Sequence, residues 1–173
     1  REHVILAEYA GIALALSAAY GVGVGVPLLF LVSGTESLVL VTSGILLTLI
    51  FCSLALLIYV NSRDKTRGIG IAIAIALFFT LLFDGLLIAF IYSFGDYPID
   101  QAIIGFIAFN PVDLARVLML LQLDVAVLMG YSGALFKKFL GSATGSIFSA
   151  ACMLFWIIVP LMLSVRVFRR KDL

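Results

Sequence analysis

The chain is poor in the groups that perform chemistry: one histidine, two cysteines and a 12% share of charged side chains in 173 residues. His3 cannot alone provide the axial imidazoles that a haem within a membrane bundle takes from its helices, which argues against a cytochrome subunit. Cys52 and Cys152 form no CxxC, and each lies inside an apolar run, where a cysteine reads as a small packing residue rather than half of a disulfide or ligand pair. Met119, Met129, Met153 and Met162 are dispersed in the manner of packing filler, which argues against a copper site built from them. No Ser/His/Asp set, HExxH or supported pair of active-site carboxylates is present, so catalysis by this chain lacks its constellation, intramembrane proteolysis included. Basic residues do not interleave with aromatics, and nucleic-acid binding has no support. The glycine-rich stretch from Gly21 to Pro27 is not a phosphate loop, because it lacks the strand-turn-helix setting and the Lys-Ser/Thr pair.

Apolar residues fill the space these absences leave. The chain is 64% hydrophobic with a mean hydropathy of +1.23, far from the composition of a soluble domain. Four apolar runs cover residues 9–32, 38–60, 69–94 and 144–165, each at or above the ~20 residues that carry a helix across a ~30 Å hydrocarbon core. Lipid offers no partner to backbone amides, so such runs must bond internally, as helices do. The expected fold is therefore an all-α, polytopic membrane bundle with four transmembrane helices in a single domain. Alternation of small and large residues over 71–76 looks strand-like, but it lies inside one of these runs, and length decides for helix. Pro27 and Pro160 should bend or loosen their helices. Ala13, Ser17, Gly21 and Gly25 recur every fourth position and define a face of small residues suited to close helix contact.

Charge placement predicts the orientation. Arg1, Arg63, Lys65, Arg67, Arg166, Arg169, Arg170 and Lys171 flank one set of span ends, whereas the other side has only Arg116, Lys137 and Lys138. By the positive-inside rule both termini and the 63–67 loop are cytoplasmic, while the 33–37 turn and the 96–143 segment face outward, into the periplasm of a Gram-negative cell. The chain begins at Arg1 with no cleavable leader, and the expectation is a fragment whose upstream spans are missing.

The outer segment is helical in part. Residues 101–109 are apolar but too short to span. Asn110 has the chemistry of an N-cap, Pro111 suits the first helical position, and Asp113 falls near the helix's positive end. A helix from 111 to about 129 should follow, making a re-entrant or interfacial hairpin with its predecessor. Gly130, Gly133, Lys137, Lys138 and Gly141 suggest a flexible basic stretch before the last span.

Asp84 is the sharpest single residue, since a carboxylate near the middle of a span costs ~2.5–3.5 kcal/mol on insertion scales. It marks either a functional polar site or a hydrogen-bonded tie between helices, with Tyr20, Thr48 and Ser53 as possible partners. Asp113 and Arg116, one helical turn apart, form either a local pair of small worth or a docking point for an extracytoplasmic protein.

Five ordered motifs carry a resemblance. They are Arg63-Asp-Lys-Thr-Arg67, Leu82-Phe-Asp-Gly-Leu86, Phe109-Asn-Pro-Val-Asp-Leu-Ala-Arg116, Met129-Gly-Tyr-Ser-Gly-Ala-Leu-Phe136 and Arg166-Val-Phe-Arg-Arg-Lys-Asp-Leu173. Together they resemble the NosY-type branch of the type-2 ABC exporter permeases, which serve maturation of nitrous oxide reductase. The resemblance implies six spans in the complete permease, of which this chain has the third to sixth, with an extracytoplasmic helical hairpin over 101–129. It implies a cytoplasmic ATPase subunit carrying ATP and Mg, a periplasmic repeat-fold maturation protein, a second permease copy and an inner-membrane location. Neither enzymatic activity nor a cofactor is expected in the chain itself. The function implied is coupling of ATP hydrolysis to assembly of the reductase's copper-sulfur centre. The alternatives are a general type-2 exporter permease for a lipid, drug or polysaccharide, and a non-transporting membrane assembly subunit.

Overall fold

Apolar runs of this length form helices because an amide in hydrocarbon has only its own chain to bond. The computed structural model describes residues 2–31, 35–95, 97, 99–122 and 131–171, and the regular structure among them is helical. Arg1, Ser33, Asp96, Asp124, Met129 and Gly130 lie outside the described residues, as do the side chains of Lys137, Lys138, Arg170 and Lys171. Four helices are long and apolar enough to cross a membrane, over His3–Leu31, Glu36–Asn61, Lys65–Phe94 and Ala143–Arg169. The chain is thus an all-α, multi-pass membrane protein. The first and third helices start earlier than their apolar runs, because Glu8, Lys65 and Arg67 fit a helix although they interrupt the hydropathy. Asp64 starts the third: its Oδ1 accepts the Thr66 N–H at 3.2 Å, the usual service of an N-cap.

The chain divides into two compact units. The first comprises Arg1–Ala76 and Leu154–Leu173. It holds α1 (Glu2–Tyr20), a π-helical turn (Gly21–Gly25), α2 (Val26–Leu31), α3 (Thr35–Asn61), most of α4 (Lys65–Leu77) and the end of α8 (Tyr131–Lys171). The π turn sits just ahead of Pro27, and the Val26 N–H closes it by reaching back to the Gly21 carbonyl. A widened turn absorbs the irregularity that a proline without an N–H introduces.

Small residues bring α1 and the π turn against α3. Ala13 and Gly25 are buried, and a Cβ on Gly25 would stand 3.3 Å from Cγ1 of Val41. Ser17 has a buried hydroxyl, while the space beside Gly21 is open, so the small-residue face is in contact over only part of its length. The closest approach comes from the other helix: Gly44 leaves room for the Tyr20 ring, which a Cβ there would overlap. Tyr9 donates to the Leu49 carbonyl at 3.3 Å, and the Ser53 hydroxyl lies 2.8 Å from the Ile50 carbonyl and 3.4 Å from that of Trp156. At one end of this unit Ile5, Leu56 and Val60 pack with Tyr9, Leu161, Val165 and Phe168. The start of α1, the end of α3 and the end of α8 therefore meet at the same end.

The distribution of side chains is that of a protein solvated by lipid. Leu14, Val22, Phe30 and Phe155 are exposed, while Ser43, Ser53 and Ser164 are fully buried. Small hydroxyl residues permit close helix contact and satisfy themselves on their own helix, as Ser164 does on the Pro160 carbonyl at 2.7 Å.

The second unit is Leu77–Met153. It holds another π turn (Phe78–Leu82), α5 (Phe83–Phe94), α6 (Asp100–Phe109), α7 (Pro111–Gln122) and the start of α8. α6 and α7 meet at a bend of 111°. Phe83 lies 6.1 and 6.4 Å, ring centre to ring centre, from Phe106 and Phe109, and Phe90 lies 4.7 Å from Phe106. Ile103, Ile107, Leu114 and Val117 are almost wholly buried, which fixes the bent pair on its apolar face. Residues 131–143 continue α8, where a flexible basic stretch was expected. Glycine weakens a helix by only ~1 kcal/mol per residue, and Gly133 and Gly141 do not interrupt it.

Candidate functional site: a charged latch on the hairpin

The hairpin's corner is built by one residue. Asn110 ends α6 with extended backbone (φ −105°, ψ 112°) and begins α7, its carbonyl accepting the Leu114 N–H at 3.0 Å. Its side-chain oxygen accepts the Val112 N–H at 3.0 Å, satisfying one of the orphan donors of the helix start. Pro111 follows at the position where a missing N–H costs nothing. The amide nitrogen Nδ2 then donates twice, to the Phe79 carbonyl at 3.0 Å and to Oδ2 of Asp113 at 2.9 Å. Asn110 is completely buried, and its pattern of one acceptance and two donations requires an amide. An aspartate would cap α7 equally well, but it has no N–H for Phe79 and would place a second carboxylate beside Asp113.

Phe79 belongs to the π turn that precedes α5. Such turns insert an extra residue into a helix and occur frequently at functional positions. Here the turn carries a carbonyl that receives the hairpin's corner, and Asp84 follows immediately, in the first turn of α5.

Arg116 joins the two elements. Its Nη1 lies 3.1 Å from Oδ2 of Asp84 and 3.2 Å from Oδ1 of Asp113. Asp113 is 2% exposed, whereas Asp84 and Arg116 are 38% and 43% exposed. One guanidinium thus serves two carboxylates, one sealed and one at an open edge, and the trio carries a formal charge of −1. Breaking the contact with Asp84 leaves Arg116 still tied to Asp113, so the arrangement suits a contact that opens and closes.

The sequence placed Asn110, Pro111 and Asp113 at a helix start, and they stand there. It offered Tyr20, Thr48 and Ser53 as partners for Asp84, but the partner is Arg116. Tyr20 lies against Gly44, Thr48 bonds back to the Gly44 carbonyl at 2.9 Å, and Ser53 is occupied as described above. One signal was available: Arg116 is the only basic residue between Arg67 and Lys137. The Phe79 carbonyl carried no signal, because any residue supplies one. Ala13, Ser17, Gly21 and Gly25 belong to the first unit's packing, and Arg63, Lys65, Arg67, Arg166 and Arg169 lie near the ends of its helices, all away from this latch. Among the described residues no group of three His, Cys, Asp or Glu side chains is placed to hold a metal ion.

No protein-family model matches the chain, and no curated protein matches it.

Proposed function

We propose that this chain is the membrane-spanning permease subunit of an ABC transporter, of the NosY type, coupling cytoplasmic ATP hydrolysis to extracytoplasmic assembly of the copper-sulfur centre of nitrous oxide reductase. The observation that carries the reading is convergence. The two most specific motifs behind the resemblance, Leu82–Leu86 and Phe109–Arg116, stand apart in sequence, yet their polar residues form one network. Asp84 of the first is bound to Arg116 of the second, and Asn110 holds the π turn just ahead of Asp84. Motifs tied to each other in this way suit a device that transmits movement of a span to an outer hairpin.

On this reading the ends of the first unit that carry Arg63, Lys65, Arg67 and Arg166 face the cytoplasm and a separate ATPase subunit, which binds ATP and Mg. The hairpin faces the periplasm and a repeat-fold maturation protein, and two permease copies make up the complex in the inner membrane. Closure of the ATPase would rock the packed spans as rigid bodies, and the Asp84–Arg116 contact would carry that motion to α7. Deleting the gene is expected to leave the reductase exported but with an incomplete copper-sulfur centre, read from its activity and its metal content. A fully active reductase in the deletion strain overturns the reading.

A further inference from the structure

The first unit has a groove of about 790 Å³ at the end where α1 starts and α3 ends. That volume falls among the ~300–1,000 Å³ of clefts that take small molecules. Its walls are apolar, with Ile58, Ile69 and Phe168 among them, and its rim carries Glu8, Arg63, Asp64 and Lys65. The wall from Lys65 to Ala72 extends ~10 Å along α4 at 1.5 Å per residue, leading from the charged loop toward the hydrocarbon. Two acidic and two basic side chains give the rim no net charge. Among the described residues, none of the four is ion-paired with another; Asp64 caps α4.

Opposite charges that share one groove without joining ask for a ligand that carries both. We propose that the groove seats a phosphatidylethanolamine molecule, its phosphate on Arg63 and Lys65, its ammonium toward Glu8, and the start of an acyl chain along Ile58, Ile69 and Phe168. Basic pockets between helices at a membrane face are recurrent sites for lipid headgroups, and here the acid selects among lipids. Phosphatidylglycerol has the phosphate but would leave Glu8 facing an anion. Phosphatidylcholine has both charges, but its quaternary nitrogen has no N–H to donate to a carboxylate. The inference requires the groove to lie at a membrane face and is independent of which face that is and of what the protein transports.

The test uses the full chain with its partners, reconstituted in nanodiscs of equal parts phosphatidylethanolamine, phosphatidylcholine and phosphatidylglycerol, with retained lipid measured by mass spectrometry after mild detergent extraction. Wild type is expected to retain the ethanolamine lipid about threefold above its bulk share, the scale of a single part-exposed charge contact. Glu8→Gln should abolish the preference over phosphatidylcholine, and Arg63→Gln with Lys65→Gln should abolish enrichment of all three lipids. Soluble phosphoethanolamine should fail to displace the bound lipid, because it cannot use the apolar wall. Equal retention of the three lipids by wild type overturns the proposal, as does displacement by phosphoethanolamine. A photo-crosslinker at Ile69 that captures only protein also overturns it, since the groove is then a protein-docking site.

Discussion

Arg116 is the residue on which the second unit's charge balance turns. Removing it leaves Asp113, sealed from solvent, beside Asp84 with no cation. Arg116→Gln should therefore destabilise the purified protein by about 1–3 kcal/mol, less than the ~3–5 of a fully buried pair because two of the three groups are part-exposed. Asp84→Asn alone should cost less, since Arg116 keeps Asp113. The double variant should fall short of the sum by ~0.5–3 kcal/mol, the range for residues in contact, as measured by thermal unfolding in detergent. Strict additivity would mean that the 3.1 Å contact has no energetic weight. At this scale the sequence was legible where chemistry is local: Asn110, Pro111 and Asp113 act within a few residues of themselves, and helix-start rules name them. It was illegible where the partner is remote, for Asp84 and Arg116 are 32 residues apart and their meeting depends on how the hairpin folds back.

Between elements, the close contact in the first unit is made by one glycine and one ring. A methyl group on Gly44 would overlap the Tyr20 ring, so Gly44→Ala must turn that ring out or push α3 from α1, at a cost of about 1–3 kcal/mol by the experience of overpacked interiors. Tyr20→Ala in the same chain should recover part of the loss, and full additivity in unfolding experiments would count against the contact. The face of small residues on α1 was visible as a four-residue repeat, but Gly44, which makes the tightest approach, belongs to no such repeat. Hydropathy located the four spans, since apolar length is what lipid selects. It missed where the helices begin, because a helix continues past the hydrocarbon into residues that water solvates. It also missed the helical character of residues 131–143, where glycines and lysines read as a linker.

For the whole molecule the topology makes a claim about sides. The loop at 62–64 and the hairpin at 101–121 are joined by a single helix that is long and apolar enough to cross a bilayer, which puts them on opposite faces. Single cysteines at Ser62 and at Gln101, in a chain with Cys52 and Cys152 replaced, should react from opposite sides with a reagent that does not cross intact membranes. With the basic ends inside, only Gln101→Cys should be labelled in whole cells. Labelling of both from outside would remove the span between them, and labelling of Ser62→Cys alone would invert the orientation proposed for the ATPase and the maturation protein.

The widened turn at Phe78–Leu82 also sets a phase. A π turn holds one residue more than the α-helix it interrupts, and each residue of an α-helix turns the chain by about 100°. Excising a single residue from this turn would keep the span apolar and nearly as long, yet it would swing everything after it by more than a quarter-circle. Asp84 would then point away from the guanidinium it now meets, and the Phe79 carbonyl would return to its own helix. Such a chain should insert and fold but lose its hold on the hairpin, so the device is tuned by one count in the sequence as much as by its charges.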